Sequence, residues 1–242
     1  MTENRLFDQA KERVDTIRQA MDRAAAQAGR NPEEIRLMAV TKTRTAEEVN
    51  RVIAAGVTLL GENKAQELCA RYADYHLDGC EIHFIGRLQT NKVRQIIEKV
   101  SMIASVDSER LAAEISRQCV KHGLEMDILL EVNIGEEESK GGFPPETIAE
   151  AAERIAQLPG LHIRGLMAIP PFEDDPEDAR AYFAATRRIF VDIQNKKIDN
   201  VTMEIMSMGM SGDYPQAIAE GSHQVRIGTA LFGPRDYTLK QH

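Results

Sequence analysis

Eight short apolar or β-branched runs mark the chain, and stretches with helical periodicity lie between them. Alternation of this kind builds a parallel sheet, because a strand can rejoin its neighbour in the same direction only through a crossover. The strand segments are residues 36–40, 58–60, 82–85, 102–104, 127–132, 162–166, 204–207 and 224–227. Helical stretches lie at 46–55, 64–75, 91–99, 108–122, 145–157, 176–195 and 214–220. One more helix, residues 6–28, precedes the first strand, with Val14, Ile17, Met21, Ala24 and Ala25 on one stripe, and Gly29 and Asn31-Pro32 stop it. Eight such units in 242 residues fit a closed (β/α)8 TIM-type barrel, an α/β fold forming a single domain over residues 1–242 with no C-terminal β domain. The competing open sheet would carry G-x-G-x-x-G after its first strand, where Thr41-Lys42-Thr43-Arg44 stands instead.

Several classes of function are disfavoured at once. A net charge of −8 argues against a nucleic-acid binder, which needs a basic face. No apolar run is long enough to span a membrane, and residues 1–11 are polar and mixed in charge, unlike a signal peptide. Cys69, Cys80 and Cys119 form no C-x-x-C pair and read as reduced thiols of a cytoplasmic protein. His83 and His223 lack histidine partners at ligand spacing, so no metal is expected. With 5% aromatic residues and no tryptophan, the chain is expected to be a monomer.

In a barrel, ligands meet the residues that follow the strands. Here these are Lys42, Gly61-Glu62-Asn63, the run from Gly86 to Lys92, Ser105 to Asp107, Asn133-Ile134-Gly135, Met167 to Pro170, Ser207 to Asp213, and Gly228-Thr229. Thr45, Asn63 and Asp107 are placed to cap the helices that follow them. Lys42 is a charge at the end of a buried strand. A lysine in an apolar mouth can carry a neutral amine that attacks a carbonyl. The loops after the last two strands are rich in glycine and hydroxyls, as barrel phosphate sites are. Arg226 alternates with Val225 and Ile227, so it faces the barrel interior and needs an acceptor there. A cofactor ring nitrogen would serve, and so would an ion pair with Glu204 or Glu62. A nucleophilic lysine, a phosphate site and an inward arginine together match pyridoxal 5′-phosphate (PLP). A sugar-phosphate barrel enzyme is the alternative if Lys42 is inert.

The motifs are also familiar as a set. They comprise Ala39-Val40-Thr41-Lys42-Thr43, Gly61-Glu62-Asn63 with Gln66-Glu67, and His83 to Lys92. Val132 to Gly135 with Ser139 to Phe143, Arg164 to Ile169, Ser207 to Asp213, and Val225 to Gly233 complete it. The chain closely resembles the pyridoxal phosphate homeostasis protein family, relatives of the alanine racemase barrel (fold type III), from about Leu37 to Gly233. The resemblance implies a Schiff base on Lys42 and Arg226 facing the pyridine nitrogen. It implies phosphate contacts from Ser207, Gly228 and Thr229, with Ser211 nearby, and a ring lined by Asn63 and Met167. It further implies a role in intracellular PLP buffering and delivery to apo-forms of PLP-dependent enzymes. Arginine does not readily protonate the pyridine nitrogen, so the ring is a weak electron sink. Racemases of this fold also carry a tyrosine base on a C-terminal β domain. Weak amino-acid racemase activity is therefore the alternative reading, with Tyr72, Tyr75 and Tyr214 as candidate second bases.

Overall fold

The computed structural model describes residues 2–137 and 140–233. Glu138 and Ser139, the latter part of one quoted motif, lie outside them. The strands are β1 (Arg36–Val40), β2 (Leu59–Glu62), β3 (Glu81–Phe84), β4 (Met102–Val106), β5 (Met126–Val132), β6 (Leu161–Ala168), β7 (Val201–Met210) and β8 (Gln224–Ile227). They pair in chain order, all parallel, and β8 closes on β1, making an eight-stranded barrel. Helix α1 (Glu3–Gln27) comes first. The others are α2 (Ala46–Ala54), α3 (Ala65–Arg71), α4 (Val93–Ile96), α5 (Glu109–His122), α6 (Ile148–Ile155), α7 (Arg180–Lys196), α8 (Tyr214–Ala219) and α9 (Thr229–Phe232).

Strand alternation splits the apolar residues into two cores. Met38, Leu59, Ile85, Met102, Ala104, Leu129 and Met167 pack together inside the barrel. Their strand neighbours, among them Leu37, Ala39, Leu60, Phe84, Ile103, Ile128 and Leu130, form a larger cluster with the helices outside. The stripe read on α1 is the buried one: Val14, Ile17, Met21, Ala24 and Ala25 all face the core, where the helix packs against α2, α8 and α9. Among the described residues, no helix is long and apolar enough to cross a membrane.

Several boundaries differ from the sequence reading. Residues 91–99 hold a 3₁₀ turn (Thr90–Lys92) and the single turn α4, and α6 and α7 begin at Ile148 and Arg180 rather than 145 and 176. Strand β7 runs on to Met210. Gly209 hid that extension by interrupting the β-branched pattern, and it sits at φ 92, where an added Cβ would lie 2.5 Å from the Ala217 methyl. Parallel strands need continuous pairing on both sides, so β2, β4, β6 and β7 reach further toward the ligand end than their apolar runs indicate.

Candidate functional site

Lys42 stands two residues past the end of β1, after Thr41, and is half-buried. The next residue, Thr43, has φ 66, the left-handed region, which a β-branched residue enters at a cost of about 1–3 kcal/mol. The turn is bonded on every side. The Arg44 amide donates to the Thr41 carbonyl at 3.0 Å, and the Thr41 amide donates to the Gly61 carbonyl at 3.1 Å. The Thr43 amide donates to Glu67 Oε2 at 3.2 Å. Thr45 then starts α2 with a capping box: its hydroxyl accepts from the Glu48 amide, and the Glu48 carboxylate accepts from the Thr45 amide. The sequence had placed this cap correctly. The other two caps are corrected. Lys64 precedes α3 without a side-chain cap, and Ser108, not Asp107, caps α5 by accepting from the Leu111 amide.

Relieved of capping, Asn63 stands at the end of β2 with a buried Oδ1 that has no hydrogen-bond partner among the described residues. A buried amide oxygen left unpaired costs about 1–3 kcal/mol unless a ligand supplies a donor. The strand end is packed tightly: a Cβ on Gly86 would lie 2.1 Å from the Asn63 carbonyl oxygen.

Arg226 points inward, as strand parity requires, and only 4% of it is exposed. Its Nη1 donates to the Ser207 carbonyl at 2.6 Å and to Ser207 Oγ at 3.0 Å, while Nη2 donates to the Ala168 carbonyl at 2.9 Å. One N–H of Nη2 and the Nε–H have no acceptor among the described residues. Of the acceptors left open by the sequence, neither carboxylate is used: Glu204 binds Arg164, and Glu62 binds Arg71 and Tyr75. The guanidinium is anchored by backbone oxygens instead. Burial draws its pKa down to about 10, against the raising fields of Glu131 and Asp213, so it stays charged at neutral pH.

Met167 is fully buried in the inner core, in register with Ser207 on β7 and Glu131 on β5. Ser207 is also fully buried, with its hydroxyl engaged by Arg226. Ser211 stands further out, where its Oγ accepts from the Gly228 amide at 3.3 Å and the Ala230 amide at 3.4 Å. Thr229, beside them, is exposed. A Cβ on Gly228 would come no nearer than 3.7 Å to Val40, and one on Gly212 would meet nothing within 4 Å. The two loops thus present hydroxyls and backbone N–H groups around open space.

Glu131 was missed in the sequence because Asp127–Val132 reads there as an apolar strand. It is inward on β5, without a side-chain partner among the described residues. Burial, then the field of Asp107, pushes its carboxyl up to about 7, although Arg226 and Arg87 oppose the shift. A carboxyl whose native pKa lies above its unfolded value adds most stability while protonated in both states, and that contribution is lost as pH rises through the native value. Glu131→Gln is therefore expected to be more stable than the parent at pH 8, by roughly 1–3 kcal/mol. At pH 5 the two should be nearly equal, as urea unfolding at both pH values would register.

None of the candidate second bases is free in the mouth. Tyr75 is buried with its hydroxyl on Glu62 Oε1 at 2.7 Å, and burial drives its pKa upward. Tyr72 lies beneath the Lys99 ammonium, and Tyr214 packs against the outer core. Among the described residues, no three His, Cys, Asp or Glu side chains are grouped to hold a metal ion.

This inventory can be set beside known proteins. The sequence profile of the alanine racemase N-terminal domain matches residues 13–236. The pyridoxal phosphate homeostasis protein of Aquifex aeolicus is 41% identical over 94% of this chain and 99% of its own length. The chain belongs to the pyridoxal phosphate homeostasis protein family. Its Escherichia coli member is 39% identical over 93% of this chain and 96% of its own. A solved family structure, PipY of Synechococcus elongatus with PLP bound, superposes with a TM-score of 0.78 at 33% identity, covering 88% of this chain and all of the other. The likeness to Streptomyces coelicolor alanine racemase, at 18% identity and TM-score 0.68, concerns the fold alone, and the chain spans 59% of that protein.

Proposed function

We propose that this protein binds PLP covalently through Lys42 at the ligand end of the barrel, and serves to hold and release the cofactor in the cell. The observation that carries the reading is one wall-to-wall set of unspent groups around that mouth. Lys42 is half-buried on a strained turn, Asn63 offers an unpaired buried oxygen, and Arg226 keeps two free N–H groups inside the barrel. When bound, PLP supplies an aldehyde that condenses reversibly with a primary amine. Lys42 provides that amine. Arg226, fixed by Ser207 and Ala168, would offer its remaining N–H groups to the pyridine nitrogen. Ser211 and Thr229 would offer their hydroxyls to the phosphate beside the Gly228 backbone, with the Gly228 and Ala230 N–H groups fixing Ser211 Oγ, while Ser207 would act one step back by orienting Arg226. Asn63 and Met167 line the ring.

This set favours holding over turnover. Arg226 stays positively charged and donates a hydrogen bond without giving up its proton, so the ring is a poor store for carbanion charge. Of the candidate second bases, Tyr75 is bonded to Glu62, Tyr72 lies beneath Lys99 and Tyr214 packs on the outer core, and loss of one positioned acid or base lowers a rate by about 10²- to 10⁴-fold. The receiving partners in this reading are apo-forms of PLP-dependent enzymes, and the protein works as a monomer in the cytoplasm. The three free cysteines suit a reducing compartment.

Dialysis of the PLP-loaded protein, run beside an alanine racemisation assay, tests this. The expected result is slow cofactor loss, recovery of an apo-enzyme's activity from the loaded protein, and little or no racemisation. Rapid turnover of either alanine enantiomer would replace this reading with a racemase.

A further inference from the structure

Beneath the Lys42 turn lies a buried set of ionisable groups that the PLP reading does not use. Glu62, the last residue of β2, is fully buried. Its Oε1 accepts from the Tyr75 hydroxyl at 2.7 Å, and its Oε2 lies 3.4 Å from Arg71 Nη2. Burial pushes this carboxyl upward, with a smaller push from Glu67, and Tyr75, then Thr41, then Arg71 oppose that shift. A carboxyl placed there needs both partners, and the partners lead straight to the nucleophile. Arg71, at the end of α3, donates from Nη1 to the Arg44 carbonyl and from Nη2 to Glu67 Oε2 at 3.2 Å. That same Glu67 oxygen accepts the Thr43 amide at 3.2 Å. Two backbone groups immediately after Lys42 are thus bonded by side chains from a single helix, and the buried end of β2 ties those side chains down. The residue between them is the strained Thr43, whose φ of 66 would relax toward the ordinary β or α regions without such bonds.

We propose that Glu62, Glu67, Arg71 and Tyr75 are positioning residues for Lys42, holding the turn from Thr41 to Arg44 in the shape that keeps the amine in the mouth. The proposal rests on the PLP reading for its purpose, but its geometry concerns the apo-protein. Arg71 is the keystone, since it alone touches the turn, Glu62 and Glu67. Lysine cannot replace it, because a single ammonium does not reproduce the planar fork that spans three acceptors. Tyr75→Phe is milder: it deletes one hydroxyl and leaves the Arg71 bridge in place.

The test combines trace acetylation of the apo-protein with stopped-flow capture of PLP. Acetic anhydride at limiting concentration, read by peptide mass spectrometry across pH, reports the reactivity of Lys42 against Lys92 and Lys140 as internal standards. In Arg71→Gln and Arg71→Lys, the labelling profile of Lys42 should move while the two standards stay put. PLP capture should slow by about tenfold or more, and by about threefold in Tyr75→Phe. Ile115→Val, a buried change on the distant α5, provides a variant of lowered thermal stability in which Lys42 should behave as in the parent. Should the Arg71 variants and Tyr75→Phe lower thermal stability yet leave Lys42 labelling and capture unchanged, the network is structural and the proposal falls. If the parent captures no PLP on Lys42, the PLP reading fails separately, and the apo labelling still decides the positioning claim.

Discussion

Lys42→Ala is expected to abolish the borohydride-stable adduct and to weaken PLP binding by at least about 100-fold, near 2.7 kcal/mol. The substitution removes the amine that stands just after β1, while the rest of the site persists. Ser211 keeps its bonds from the Gly228 and Ala230 amides, and Arg226 keeps those to Ser207 and Ala168, since none of these passes through Lys42. Residual binding should therefore survive as weak, readily dialysable and invisible to borohydride. Equilibrium dialysis measures the affinity, and the absorbance of the bound cofactor measures the covalent link. Stability should change little, because Lys42 is half-buried and makes no recorded salt bridge among the described residues.

The largest stability effect is expected within the barrel sheet, at Gly165→Ala. Gly165 lies in β6 at φ 148, where the pairing with β7 shifts register, and it sits opposite Ile205. An added Cβ would lie 1.9 Å from the Ile205 carbonyl oxygen and 2.8 Å from its carbonyl carbon. Both atoms are backbone in the neighbouring strand, so no side-chain rotation relieves the clash. The strands must part, or the ladder must break. Either outcome should cost about 3–5 kcal/mol, lowering Tm by roughly 10 °C or more for a domain of this size. Gly212→Ala is the control: its added methyl meets nothing within 4 Å, and stability should stay within about 0.5 kcal/mol. Urea unfolding of the two variants beside the parent gives the comparison directly.

Such contrasts show where the sequence was informative. The barrel was legible because each buried strand reads as a short apolar run and each helix as an amphipathic one, and these patterns survive without knowledge of partners. Lys42 and Arg226 were legible for a related reason: a charge inside an apolar strand, or at its end, demands an explanation that few arrangements provide. What the sequence hid were long-range pairings. The sequence shows that Arg226 needs an acceptor and leaves a cofactor nitrogen and a carboxylate both open, but it does not show the carbonyls of Ser207 and Ala168, which two other strands supply. Glu62, Arg71 and Tyr75 carry no spacing that marks them as one set, because the end of a strand, the end of a helix and the residue after a 3₁₀ turn (Tyr72–Asp74) bring them together. Glu131 looked like an interruption in an apolar strand, and only barrel closure places its carboxyl near Arg226 and Asp107. Asn63 was taken for a helix cap by its position after Glu62. Its backbone is instead pressed against Gly86, leaving the side-chain oxygen unpaired.

The most direct test of the central claim is borohydride reduction of the native protein with stoichiometric PLP, followed by peptide mass mapping of every lysine. The account predicts a single pyridoxyl group on the peptide containing Lys42, with Lys92 and Lys140 unmodified. A label spread over surface lysines, or none at all, would contradict it, and would return the barrel mouth to a phosphate-binding site without covalent chemistry.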